Sequence, residues 1–404
     1  MKFPFDIRLV LRYTSRSLNV YAYIQTEMIM SNEIAVIGGG NGAHAVAAEM
    51  ALAGNQVRMF EFPQFKESFV PVISSKEIIK EGVGVTGRAK LKTVTMDIEE
   101  AIEGTEYIFI VLPAFAHTMV AEALAPYLKD GQVLILLPGS AGTLRIKKIF
   151  DEKGINKDIT LVEGSTLPYG ARLIKPGHVA IFIEAVLLPA GVFPAKKTDE
   201  VMPELKAFYP LIRPAKDVLE AMINNPNPYV HPAASLLSAT RIEYSKGDFF
   251  LYVEGVTPST ARLFEALNRE RLALCKTMKW RLYHWDNLQF EEYGLGRSQE
   301  ECYKKILNTS MDAFFGKDSI QAGMKMLGPK TMKDRYITED VPYGLVLIKD
   351  IGTLMGIEMP LHESMIRMCS ALNEENYEVL GRTTKKIGIA GMEQKELEDF
   401  LCKG

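Results

Sequence analysis

The 404-residue sequence predicts an α/β chain: a doubly wound parallel sheet followed by an all-helical domain. Three observations carry this prediction. A strand, a glycine-rich turn, a helix and a second strand follow one another in IAVIGGGNGAHAVAAEMALAGNQVRMFEF, Ile34–Phe62. Strand and helix patterns then alternate as far as Val162. Beyond about residue 200 the apolar spacing becomes helical.

The first unit reads as a buried strand (Ile34–Ile37), a turn (Gly38–Gly42), a helix (Ala43–Ala53) and a strand (Val57–Phe62). Gly38, Gly40 and Ala43 fit G-x-G-x-x-A, a variant of the Rossmann-type fingerprint. Gly38 allows the tight turn, Gly40 has no Cβ to block a pyrophosphate, and Ala43 lets helix and strand pack closely. Asn41, Gly42 and Ala43 bring the helix N-terminus, with its free N–H groups and partial positive charge, toward the phosphates. Glu61 lies 23 residues after Gly38 and can accept the ribose hydroxyls while repelling a 2′-phosphate, which favours NAD over NADP. The bland alternative, a tight turn without a ligand, leaves the strand–helix–strand context and Glu61 unexplained.

Composition bounds the rest. Apolar residues at 47% and charged residues at 24% are those of a globular protein, and a net charge of −3 gives no reason to propose nucleic acid or an acidic membrane surface as partner. No apolar run reaches the ~18–20 residues of a membrane span. Cys275, Cys302, Cys369 and Cys402 lie far apart without metal-ligand spacing and read as reduced thiols, so a cytoplasmic setting is expected. Residues 1–30 carry Arg8, Arg12 and Arg16 but also Asp6 and several aromatics, a poor presequence; they read as a loosely held extension with Met28 or Met30 as the expected start.

The expected domains are 31–200 and 201–404. Within the first, Pro63–Ile79 is mixed and polar. The glycines at 82, 84 and 87 suit a hairpin before a strand at Leu91–Thr95, and without a following Gly-Lys-Ser/Thr they do not make a second nucleotide loop. Asp97 and Glu100 open a short helix through Ile102. Tyr107–His117 begins as a fully buried strand whose end, with Pro113 and Ala114, should reach the ligand edge of the sheet. A helix to Leu128, a strand Val133–Leu137, a helix from about Leu144 and a strand Ile159–Val162 follow. Gly177–Leu188 should add one or two further strands that close off this domain, and the break is expected near 190–205. In the helical half, Thr257–Pro258 opens a helix to about Arg281, and Ser298 with Glu301 forms a capping box. Helical periodicity returns at Tyr343–Met355, Leu361–Leu372 and Gln394–Leu401. Met- and aromatic-rich stretches such as Leu272–Trp285 could supply a homodimer face.

Six histidines can be weighed singly. His231, in NNPNPYVHPAASLL before an expected helix after Pro232, is placed to enter a cleft; the alternative is a plain helix-start histidine. His117 ends the buried strand and either touches substrate or pairs with backbone. His44 suits packing or a place beside the phosphates; His178, His284 and His362 read as structural or surface residues. In KDRYITEDVPYGL, Arg335 could grip a carboxylate with two prongs and Asp340 could orient an imidazole, or they are a surface charge and a helix cap.

Taken in order, GGGNGAHAVAAEMALAGNQV, EGSTLPYGAR, NPNPYVHPA and RYITEDVPYGL resemble the octopine/nopaline (opine) dehydrogenase family, from about Ile34 to the C-terminus. The resemblance implies a Rossmann domain followed by a helical domain like that of the 6-phosphogluconate dehydrogenase superfamily. It implies NAD(P)-linked reductive condensation of an amino acid's amine with an α-keto acid. By motif, His231 is then the catalytic histidine and Asp340 its partner. Arg335 and His117 hold the keto acid, and Glu163–Thr166 line the amino-acid side. Gly164 stands where many relatives have Thr. Two other readings share the layout: a 2-keto acid reductase without an amine substrate, and a non-catalytic NAD(H) sensor.

Overall fold

The computed structural model describes residues 32–283 and 326–404. The 1–30 extension, His284, Cys302, the end of the Leu272–Trp285 face and the Ser298–Glu301 capping box lie outside the described residues. Among the described residues no helix is long and apolar enough to cross a membrane.

The first half alternates strands and helices: β1 (Glu33–Ile37), α1 (Asn41–Leu52), β2 (Gln56–Phe60), α2 (Lys66–Ser75), β3 (Glu77–Gly82), β4 (Gly87–Lys90), β5 (Thr93–Thr95), α3 (Ile98–Ile102), β6 (Tyr107–Ile110), α4 (His117–Leu124), β7 (Val133–Leu136), α5 (Gly142–Glu152), β8 (Thr160–Gly164), β9 (Tyr169–Lys175), β10 (His178–Glu184), β11 (Leu188–Phe193), α6 (Thr198–Phe208) and β12 (Ile212–Pro214). The main sheet has the order β12-β11-β8-β7-β6-β1-β2-β5. It is parallel except that β11 runs antiparallel to β8. Residues 107–110 and 133–136 are buried on both faces, which is why they read as unbroken apolar runs. Asp97 caps α3 as its spacing predicts, accepting from the N–H groups of Glu99 and Glu100.

Two expectations change and a third gains detail. The polar stretch after Glu61 contains α2, whose Phe69 and Val72 are fully buried; Pro71 inside it breaks the sequence signal of a helix. The 177–188 region supplies β10 and the start of β11, as expected, but in two different sheets. β9 and β10 join β3 and β4 in a second sheet, β4-β3-β10-β9, that lies against α1, and only β11 extends the main one. The main sheet also runs past the expected break at 190–205, because β12 pairs with β11 through Leu188–Ile212 and its neighbours.

The helical half contains α7 (Val218–Ile223), α8 (Asn227–Leu237), α9 (Ala239–Ser245), α10 (Pro258–Met278), α11 (Arg335–Thr338), α12 (Val346–Leu354), α13 (Pro360–Asn373), α14 (Tyr377–Leu380) and α15 (Gln394–Lys403). One-turn segments at 251–255 and 341–345 are wider than α-helix. α8 begins at Asn227, ahead of the expected start after Pro232, so His231 sits in its second turn. Thr257 caps α10 by accepting from the N–H of Thr260. One core lies on the α1 face of the sheet, a second joins Val120, Leu144 and Ile146 of the first half to Leu347, Ile351, Leu397 and Leu401 of the second, and a third, around Tyr229, Phe264 and Ile366, lies within the helical half. The C-terminal helix thus returns to the first half, where the rings of Phe400 and Phe193 meet at 5.2 Å.

Asp217 marks the passage from sheet to helices. It is buried, accepts from the N–H groups of Leu219 and Glu220 at 2.9 Å, and accepts from Trp280 Nε1 at 2.8 Å. Asp217→Ala removes the cap and leaves the indole N–H unpaired in the interior. It should cost about 2–3 kcal/mol, read as a lower urea midpoint at unchanged slope.

Candidate active site

The cofactor edge follows from main-chain geometry. Gly38 has φ +128°, and a Cβ there would stand 2.6 Å from the Val111 carbonyl oxygen. At Gly40 a Cβ would meet nothing within 4 Å, so open space faces the start of α1. No side chain caps that helix, which leaves its first N–H groups for a ligand. Turn, open space and uncapped helix fit a dinucleotide pyrophosphate. Glu61 is folded over the same turn: its Oε1 accepts from Phe62 N at 2.7 Å, and a Cβ on Gly39 would touch its Oε2. Burial raises its carboxyl above the usual range, against hydrogen bonds from Phe62 and Gly39. Asn41 Oδ1 accepts from Leu173 N at 2.8 Å, which ties the start of α1 to β9. Gly42 packs beside Leu167 and Val111, and Ala43 is fully buried, as the fingerprint demands.

The helical half brings His231 and Asp340 together. His231 Nδ1 and Asp340 Oδ2 are 2.7 Å apart, and His231 Nε2 lies 2.6 Å from the Tyr252 hydroxyl. The imidazole stacks on Tyr336 at 4.1 Å and 20°. Asp340 does not cap the following turn; Asp334 caps α11 and leaves the Asp340 carboxylate to the histidine. Burial raises the Asp340 carboxyl and His231 opposes the rise. Burial also pushes the Tyr252 hydroxyl well above its ordinary value, with Tyr336 adding to it, so Tyr252 stays a donor. Tyr252 O–H then donates to Nε2, which sets Nδ1–H toward Asp340.

Between the two halves runs a second set of contacts. Glu339 Oε1 accepts from Ala114 N at 2.9 Å, while its Oε2 accepts from Arg335 Nε at 2.7 Å. Arg382, in the loop after α14, donates to the carbonyls of Ala114 at 2.8 Å and Ser140 at 2.6 Å. Its guanidinium also faces His117 Nδ1 at 3.4 Å. Burial lowers Arg382 to about 10, so it remains charged near neutral pH. Burial, then Arg382, holds His117 well below the usual histidine range, leaving Nδ1 an acceptor. Glu163 accepts from Ala141 N at 2.5 Å and Thr143 Oγ1 at 2.7 Å, and burial raises it to about 7. Gly139 and Gly142 make this packing feasible, since a Cβ on either would fall about 2 Å from Glu163 or His117.

The sequence therefore located the His231–Asp340 pair and the Pro113–Ala114 edge. It did not foresee that Ala114 would be bound through both main-chain polar atoms. Arg335 is two-thirds exposed and paired to Glu339, rather than aimed into an enclosed pocket. His117 and Glu163 are fully buried, and Thr166 nearly so. His117 tucks under the 139–142 loop beside Arg382, and Glu163 ties down that loop. His44 is a packing residue, bonded to the Gly40 carbonyl and the Gly177 N–H. His178 pairs with Glu81 at the surface and His362 with Glu270 in the interior. Sequence reasoning missed Tyr252, Tyr336, Glu339 and Arg382. Glu339, beside Asp340 in TEDV, carried a signal; Arg382 in GRTTKK had none.

Comparison with known proteins agrees with this layout. Residues 33–167 match the N-terminal family of NAD-dependent glycerol-3-phosphate dehydrogenase. Residues 214–373 match the family described as NAD/NADP octopine/nopaline dehydrogenase, alpha-helical domain. An opine dehydrogenase of Arthrobacter sp. (strain 1C) is 31% identical over 90% of this chain and 97% of its own length. An octopine dehydrogenase of Pecten maximus is 25% identical over 88% and 94%. An octopine dehydrogenase structure with NADH and agmatine superposes with a TM-score of 0.69 at 22% identity, covering 92% of this chain and 98% of its own.

Glu163 carries a pH prediction. Folded, it keeps its proton to about pH 7; unfolded, it releases it near 4.5. Between those values the folded state binds the extra proton, so this group's contribution to stability falls as pH rises through the window. Glu163→Gln should lower stability overall, because an amide nitrogen cannot accept, and should flatten this part of the profile. Thermal denaturation followed across about pH 4.5–7 measures both effects.

Proposed function

The chain belongs to the opine dehydrogenase family, and from that premise we propose how its residues share the reaction. It is an NAD-linked oxidoreductase acting on CH–NH bonds, joining an amino acid's amine to an α-keto acid by reversible reductive condensation. The observation that carries the assignment of roles is the His231–Asp340 pair at 2.7 Å with Tyr252 on the other ring nitrogen.

The turn at Gly38–Ala43 holds the pyrophosphate and Glu61 the adenosine ribose, with Pro113 and Ala114 further along the same edge. When bound, the dinucleotide gives or takes the hydride. His231 accepts a proton as the amine adds to the keto-acid carbonyl and returns it as water leaves and the imine forms. Asp340 stabilises the charged imidazole and fixes its orientation. Because the Tyr252 hydroxyl occupies Nε2, it passes the proton between His231 and the substrate oxygen. Arg335 exchanges part of its pairing with Glu339 for the keto-acid carboxylate, a bidentate contact a guanidinium is shaped for. Apposition of the two halves keeps water from the imine, which water would otherwise hydrolyse. His117 and Glu163 act from beneath, by fixing Arg382 and the 139–142 loop. We place the division between the halves at Ala215–Lys216, after β12 and ahead of α7.

NADH oxidation in the presence of pyruvate, glyoxylate, oxaloacetate or 2-oxoglutarate should require an added amino acid. A screen crossing these keto acids with the amino acids names the pair, and full turnover without any amine would refute the condensation. His231→Asn should lower kcat by about 10²–10⁴ with NADH binding kept. Near-normal turnover in that variant would sink the histidine's role. Arg335→Ala should raise the keto-acid KM about 10-fold or more at little cost to NADH affinity.

A further inference from the structure

A small cavity of about 220 Å³ opens at the seam between the halves, and its charged lining is entirely basic: Arg145 on α5, with Arg382 and Lys386 from the loop after α14. Each of the three has a structural duty. Arg145 Nε donates to Thr118 Oγ1 at 3.2 Å and its Nη1 to the Lys386 carbonyl at 3.2 Å. Lys386 Nζ donates to the carbonyls of Val379, Leu380 and Gly381. Arg382 grips Ala114 and Ser140.

Those duties satisfy hydrogens without neutralising charge. The acceptors are neutral carbonyls and one hydroxyl, and no carboxylate lines the cavity. The acids that feel Arg382 are engaged elsewhere: Glu163 is bound to the 139–142 loop, and Glu339 to Arg335 and Ala114. Lys386 is lowered by burial and then by Arg145 and Arg382, a sign of the positive field at this place. Donors also remain: among the described residues Arg145 Nη2 and Arg382 Nε have no hydrogen-bond partner. Uncompensated cations with spare N–H groups around a small hollow suit an oxyanion.

We propose that this seam cavity binds a small oxyanion, a phosphate or a carboxylate, held by Arg145 and Arg382 in the field of Lys386. The walls come from both halves, Thr118 and Arg145 from one and Tyr343 and Arg382 from the other, so occupancy joins them. By linkage, an anion that binds the joined arrangement favours it, and the apparent keto-acid KM should respond to the anion. The binding claim itself stands apart from the assigned chemistry.

The test uses the full chain saturated with NADH, so that the helix α1 phosphate site is filled. Inorganic phosphate and malonate, which cannot react, are titrated by calorimetry at ionic strength matched with chloride; the better binder of the two names the source. Saturable one-site binding is expected, weakened about ten-fold or more in Arg145→Gln and also weakened in Lys386→Met. Arg335→Met should bind the anion as the unaltered protein does. Loss of binding in Arg335→Met, or equal binding in both seam variants, overturns the proposal by assigning the anion to the keto-acid site. No binding beyond chloride overturns it outright. Because NADH oxidation with keto acid and amine is measured on the same samples, failure of the seam site and failure of the condensation chemistry are told apart.

Discussion

Both main-chain polar atoms of Ala114 are held by the helical half, its N–H by Glu339 and its carbonyl by Arg382. Ala114 stands just past the end of β6, on the ligand edge of the sheet. An ordinary loop there would turn these groups to water. Here a buried guanidinium and a largely buried carboxylate take them, so the cofactor edge is defined jointly by two parts of the chain. Bonds to charged partners are stronger than neutral ones, and leaving either charge unpaired in the interior would be costly. The seam is therefore a fixed element of the site.

That contact imposes order on the residues behind it. Arg382 stays charged, since burial lowers it only to about 10, and burial of His117, with that charge beside it, keeps the histidine unprotonated. A neutral His117 can then face the guanidinium with a lone pair. Glu163 ties down the 139–142 loop from its far side. The two glycines of that loop leave room for the histidine and the glutamate to approach. A run that reads in sequence as a simple strand end, PGSAGT, is thus shaped by one side chain from a helix, one from a neighbouring strand and an arginine more than 200 residues away.

This explains what was legible in the sequence. The α/β half could be read because its signals are local: the glycine turn, the apolar runs of β6 and β7, and the Asp97 cap lie in short stretches. The helices α10, α12, α13 and α15 could be read from their periodicity. α2 was hidden by Pro71, and the second sheet by glycines that suit a hairpin and a bend equally. His231 and Asp340 were found because their motifs resembled a family. Their partners Tyr252 and Tyr336 were not, since one aromatic among many in a helical half shows no local trace of an imidazole beside it. Arg382 could not be found at all, because the carbonyls it serves are scattered along the other half of the chain.

Arg335 depends on the seam as well. Its guanidinium is held by Glu339, and Glu339 is held by Ala114. The direction in which Arg335 points thus depends on the seam as much as on its own helix. His231 differs, because its fixing residues Asp340, Tyr252 and Tyr336 all belong to the helical half. A shift between the halves would leave the proton-handling group intact and re-aim the carboxylate-gripping one. Substrate positioning is therefore the part of this site most exposed to the relation between the halves, and proton transfer the part least exposed to it.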